Sequence, residues 1–127
     1  MSGDRSTLRV LVVDDYLNMR LMVKNMLRQL GVREIDFAAD GGAAIPELRA
    51  RRYRLVISDW NMQPITGLEL LEAVRKDPTL GWPRFIMLTG NSEAASRASE
   101  MGADATLLKP FSTIDLREAV SRAFPHG

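Results

Sequence analysis

Short apolar runs stopped by polar or turn-forming residues recur along this chain, and between them apolar residues return every three to four positions. Leu8–Val13, Glu34–Ala39, Leu55–Asp59, Arg84–Thr89 and Ala105–Leu108 are runs of the first kind. Brief and rich in Val, Ile and Leu, they predict buried strands. Tyr16–Leu30, Ala43–Arg51, Gly67–Lys76, Ser92–Met101 and Thr113–Phe124 carry the helical period. Met19, Met22, Val23, Met26, Leu27 and Leu30 share one face of the first helix; Leu116, Ala119, Val120 and Ala123 share one face of the last. A methionine stripe can form an adaptable groove, but at this spacing it reads as core.

Turn chemistry punctuates the pattern. Gly31 and Gly102 stand where a left-handed residue closes a helix. Asp40-Gly41-Gly42 reads as a turn into the second helix, with Pro46 near that helix's first turn, where a missing N–H costs least. Thr66-Gly67-Leu68-Glu69 is a capping box, Ser112 caps the last helix, and Asp77-Pro78 with Gly81-Trp82-Pro83 marks a loop. Five strands alternating with five helices imply right-handed crossovers and a parallel sheet covered on both faces. The expected fold is therefore α/β, a flavodoxin-like, doubly wound, five-stranded parallel sheet of order 2-1-3-4-5 with five helices. Residues 1–7 read as a loose tail, 8–124 as the domain and 125–127 as a trailing end.

Composition excludes more than it assigns. The formal net charge of the 127 residues is +1, so neither nucleic acid nor a membrane surface is an expected partner. Arginine dominates the basic residues, but it is scattered through the helices beside Asp and Glu, the pattern of a solvated face. The apolar runs fall far short of the ~20 residues that span a bilayer. Residues 1–7, MSGDRST, lack a secretory apolar segment, so a cytoplasmic protein is expected. There is no cysteine to form a disulfide, a thiolate zinc site or a thiol nucleophile. His126, the only histidine, is next to last, which argues against a Ser-His-Asp or histidine–metal site.

The chemistry sits at the strand ends. Asp14 and Asp15 follow the first strand, and Asp59 ends the third. Order 2-1-3-4-5 makes those strands neighbours at the switch point where such sheets bind ligands. Thr89 ends the fourth strand and Lys109 follows the fifth. Three carboxylates so close repel one another unless a cation neutralises them, and an all-oxygen set favours a hard ion, Mg²⁺ above others. Lys109 and Thr89 would then face anionic oxygens. An acid nucleophile, a metal and donors for spread negative charge make a phosphoryl-transfer constellation.

The segments VVDDYLNMR, ISDWNM, MLTGN and LLKPF resemble, in order and spacing, the signature segments of CheY-like receiver domains of two-component response regulators. The likeness spans essentially residues 8–124. It implies that Asp59 accepts a phosphoryl group from a histidine kinase or a histidine phosphotransfer protein. It also implies that Asp15, Asp59 and the backbone carbonyl of Asn61 hold Mg²⁺, with Asp14 helping through water, and that Thr89 and Lys109 contact the phosphoryl oxygens. A cis peptide between Lys109 and Pro110 is expected on the same ground.

The chain departs from that family at three places. Gln63 stands where receivers usually carry proline, with Pro64 following, which predicts a re-shaped loop around an intact site. Thr66 replaces an acidic or amide residue. Thr106 replaces the usual aromatic three residues before the lysine, which puts the usual conformational readout in question but not the phosphoryl chemistry. The leading expectation is a stand-alone, monomeric switch that binds a protein target when phosphorylated, and not an enzyme. Two other classes compete with it. An aspartate-nucleophile phosphatase needs a second acid where Asn61 stands, and a flavodoxin-like cofactor binder needs a phosphate-cradling loop where Asp14-Asp15 would repel phosphate.

Overall fold

A computed structural model of the protein describes residue 5 and residues 7–125. The expected tails fall mostly outside the described residues. Strands β1 (Arg9–Val13), β2 (Glu34–Ala38), β3 (Leu55–Asp59), β4 (Arg84–Thr89) and β5 (Ala105–Leu108) alternate with helices α1 (Leu17–Gln29), α2 (Gly41–Ala50), α3 (Gly67–Lys76), α4 (Ser92–Glu100) and α5 (Thr113–Ala123). All strand pairs are parallel, and the order is β2-β1-β3-β4-β5, as the sequence predicts.

Alternation along each strand divides the core in two. Val10, Val12, Leu55, Ile57, Ile86 and Leu88 meet α1 and α5, through Val23, Leu27, Leu116 and Ala119. Leu11, Val13, Val56, Phe85 and Met87 meet the other side, through Ala44, Leu48, Leu70, Leu71 and Ala98. Both faces of β3 are buried, which is why its sequence reads as a continuous apolar run.

The caps behave as their chemistry predicts. Thr66 and Ser112 each form a reciprocal capping box, with Glu69 and Asp115. Gly31 and Gly102 adopt φ of 94° and 106°. Four details differ from the sequence reading. Gly41 and Gly42 form the first turn of α2, because the Asp40 carboxylate caps Ala43 N–H at 2.8 Å. Pro46 is thus inside that helix, in its second turn. Asn91, whose side chain accepts from Ala94 N–H at 2.7 Å, caps α4. Met22 is 37% exposed, because it lies about 100° around α1 from Val23 and misses the sheet. The loop after α3 also contains a short 3₁₀ turn, Pro78–Leu80. None of the helices described is long and apolar enough to cross a membrane.

Candidate functional site at the carboxyl ends of the strands

Because β1 and β3 are neighbours, their carboxyl ends bring Asp14, Asp15 and Asp59 together. One oxygen from each lies within 4.8 Å of the others. Asp14 and Asp59 are buried, 0% and 4% exposed, whereas Asp15 is open to solvent. Lys109 arrives from the far end of the sheet. Its backbone N–H bonds the Thr89 carbonyl at 2.8 Å, and its ammonium donates to Asp59 Oδ1 at 2.5 Å. The Lys109–Pro110 peptide is cis, as expected, and so is Gln63–Pro64, which was not. A cleft of about 570 Å³ opens above, lined by Asp15, Asp59, Asn61, Gln63, Thr89 and Lys109 among others. The structure thus brings together all six residues singled out in the sequence, with Asp14 beneath the cleft rather than on its wall. Thr106, half-buried on β5, pairs with Met87 in register.

The electrostatics explain what this arrangement would accept. Burial pushes the Asp14 carboxyl up to about 6; the Asp59 and Asp15 charges add to that, while the Tyr16 N–H bond and Lys109 oppose it. Asp14 Oδ1 accepts from Tyr16 N–H at 2.9 Å, but Asp14 Oδ2 is buried without a hydrogen-bond partner. Buried polar atoms are rarely left so. An orphaned oxygen on one carboxylate of a cluster of three, with oxygen donors only, fits a hard divalent cation such as Mg²⁺.

Two supporting residues escape a reading of apolar periodicity. Gly67 N–H bonds the Trp60 carbonyl at 3.0 Å, and a Cβ at Gly67 would lie 2.1 Å from the Asp59 carbonyl oxygen. Only glycine lets α3 start this close to the strand end. Arg20 Nη1 donates to the Asp14 carbonyl at 2.7 Å. Its position one turn after Tyr16 was the available signal, but polar residues on a helix face carry no address.

Fold and site define a doubly wound α/β protein with an acidic, lysine-closed pocket at its switch point. Comparison with known proteins narrows this class. Residues 10–121 match the response regulator receiver domain family. The chain is 34% identical over 119 residues to the chemotaxis protein CheY of Pseudomonas aeruginosa, covering 92% of this chain and 96% of that one. It is equally identical to the chemotaxis protein CheY-3 of Vibrio cholerae, covering 92% of each. Among solved structures, chemotaxis protein CheY4 of Vibrio cholerae superposes with a TM-score of 0.82 at 34% identity, covering 91% of this chain and 98% of that chain. The chain belongs to the response regulator receiver domain family, the CheY-like phosphorylation switches of two-component signalling.

Proposed function

We propose that Asp59 is the phosphoryl acceptor of this switch, and that a phosphohistidine on a histidine kinase or histidine phosphotransfer protein is the donor. The observation that carries this reading is the Lys109–Asp59 pair: a nearly buried carboxylate held by an ammonium at 2.5 Å, at the floor of an open cleft. In the transfer, an Asp59 oxygen forms a bond to phosphorus while the phosphorus–nitrogen bond breaks, and the imidazole leaves with the electron pair. Lys109 and the Thr89 hydroxyl, both lining the cleft, then hold the phosphoryl oxygens and stabilise the charge that spreads over them. Asp14, Asp15, Asp59 and the Asn61 carbonyl would hold Mg²⁺, with Asp14 acting through water. The ion supplies neutralising charge for an anionic donor entering an acidic pocket.

Phosphorylation replaces the carboxylate that Lys109 now holds, and the altered cleft changes affinity for a partner protein. In this reading the receiver domain is a cytoplasmic binding switch. Acetyl phosphate and Mg²⁺ should add the mass of one phosphoryl group to the wild type and nothing to Asp59→Asn. Continuous turnover of an added phosphoester would point to a phosphatase instead, and retention of FMN to a cofactor binder. Magnesium alone should raise stability by about 1–3 kcal/mol at ~10–100 times its Kd. An undiminished melting shift in Asp15→Ala would remove the metal assignment.

A further inference from the structure

Asp14 has four polar atoms, and three of them are tied. Its N–H bonds the Ala38 carbonyl on β2 at 3.1 Å, its Oδ1 accepts from Tyr16 N–H, and its own carbonyl accepts from Arg20 Nη1 at 2.7 Å. The fourth, Oδ2, is left buried and unpartnered, on a carboxylate that shares a cluster with Asp15 and Asp59. Two of the three ties are backbone groups. Arg20 is the one side chain among them.

The ladder to β3 stops at Val13, and Tyr16, the residue before α1, gives that helix no side-chain cap, so the junction between them has little else to fix it. Arg20 reaches it from one turn into α1, where its own N–H bonds the Tyr16 carbonyl at 3.1 Å. Its guanidinium lies 6.0 Å from the Phe37 ring on β2, and its Nε is buried without a partner. Arg20 is half-buried as a whole, with Nε its enclosed donor.

We propose that Arg20 is a positioning residue of the divalent-ion site, holding the Asp14 carbonyl so that the Asp14 carboxylate keeps its place in the cluster with the other two. The inference rests on the reading of this cluster as a Mg²⁺ site. It also has an opposite: a cation near the pocket should repel Mg²⁺, so mere removal of charge would tighten binding. The sign of the effect therefore separates positioning from simple repulsion.

The test is a Mg²⁺ titration of metal-free protein, followed by Trp60 fluorescence and by melting temperature, for the wild type, Arg20→Met, Arg20→Gln and Arg20→Lys. Loss of a side chain that supports a metal site from outside its ligands weakens affinity by about 10-fold or more. Arg20→Met and Arg20→Gln should show that loss. Arg20→Lys, which keeps a charged donor, should recover most of it. A merely structural role would lower the melting temperature equally with and without Mg²⁺; positioning shrinks the Mg²⁺-dependent increment itself. Should the methionine variant not fold, the glutamine and lysine variants carry the comparison. Unchanged or tighter binding in the neutral variants overturns the inference while leaving the metal site standing. No response in the wild type overturns both.

Discussion

Two residues at the site's floor carry charge that the fold does not compensate in the same way. Asp59 is neutralised by Lys109, whose side chain is 29% exposed, so removing the lysine strands a nearly buried carboxylate between two others. Lys109→Met should destabilise the metal-free protein by about 1–3 kcal/mol, less than a fully buried pair because solvent reaches the ammonium. Asp59→Asn in the same chain should restore much of that loss, a coupling that urea melts of the four-member cycle would measure. Asp14 is the opposite case. Its folded-state pKa of about 6 lies above the unfolded 3.8, so the folded protein binds its proton more tightly. That proton stabilises the fold below pH ~4, and the stabilisation is lost as pH rises to ~6; above it the ionised group costs on the order of 3 kcal/mol. Asp14→Asn keeps an acceptor for Tyr16 N–H, so without metal it should match the wild type below pH 4 and exceed it at pH 7. Mg²⁺ should narrow the gap at pH 7. A gap that is constant with pH would show that ionisation of Asp14 is not its cause.

At the scale of elements, the junction between β3 and α3 matters most, because the phosphoacceptor candidate ends one and Gly67 begins the other. The Thr66 cap and the Gly67 contact make different contributions there. Thr66→Ala removes a capping box and should cost about 1 kcal/mol while the Mg²⁺ response persists. Gly67→Ala drives a Cβ into the Asp59 carbonyl, with Met87 Sδ also at 3.0 Å. Neither backbone can yield without moving the acceptor, so a loss on the order of 3 kcal/mol is expected together with the Mg²⁺ response. Equal Mg²⁺ titrations for the two variants would show that the close approach does not govern the site. The Thr66 cap was legible in the sequence because it joins Thr66 to Glu69 three residues on. The Gly67 contact was not, since the partner it excludes is defined only once the strand and the helix have docked.

For the whole molecule, the question is how an event at the cleft reaches a surface. Thr89 accepts from Asn91 N–H at 3.3 Å and leads directly into α4, whose buried anchors are only Ala94 and Ala98. Thr106, with no ring to move, offers β5 little differential contact between states. A phosphoryl mimic should therefore change amide exchange mainly over residues 90–101, a weakly anchored unit. Changes confined to β5 and α5 would contradict this route. By itself the sequence determined the five strands and five helices, the faces they bury and the strand-end positions of Asp14, Asp15, Asp59, Thr89 and Lys109. Periodicity and turn chemistry act over a few residues and are written locally, while handedness rules and the succession of five βα units supplied the strand order. Only the tertiary structure decided that Lys109 closes on Asp59 fifty residues away, that Asp14 Oδ2 is buried without a partner, that Met22 faces solvent, and that Arg20 holds the Asp14 carbonyl. A hydrophobic pattern says which face is buried but not against what; atomic distances follow from packing between elements remote in sequence, and no local signal encodes them.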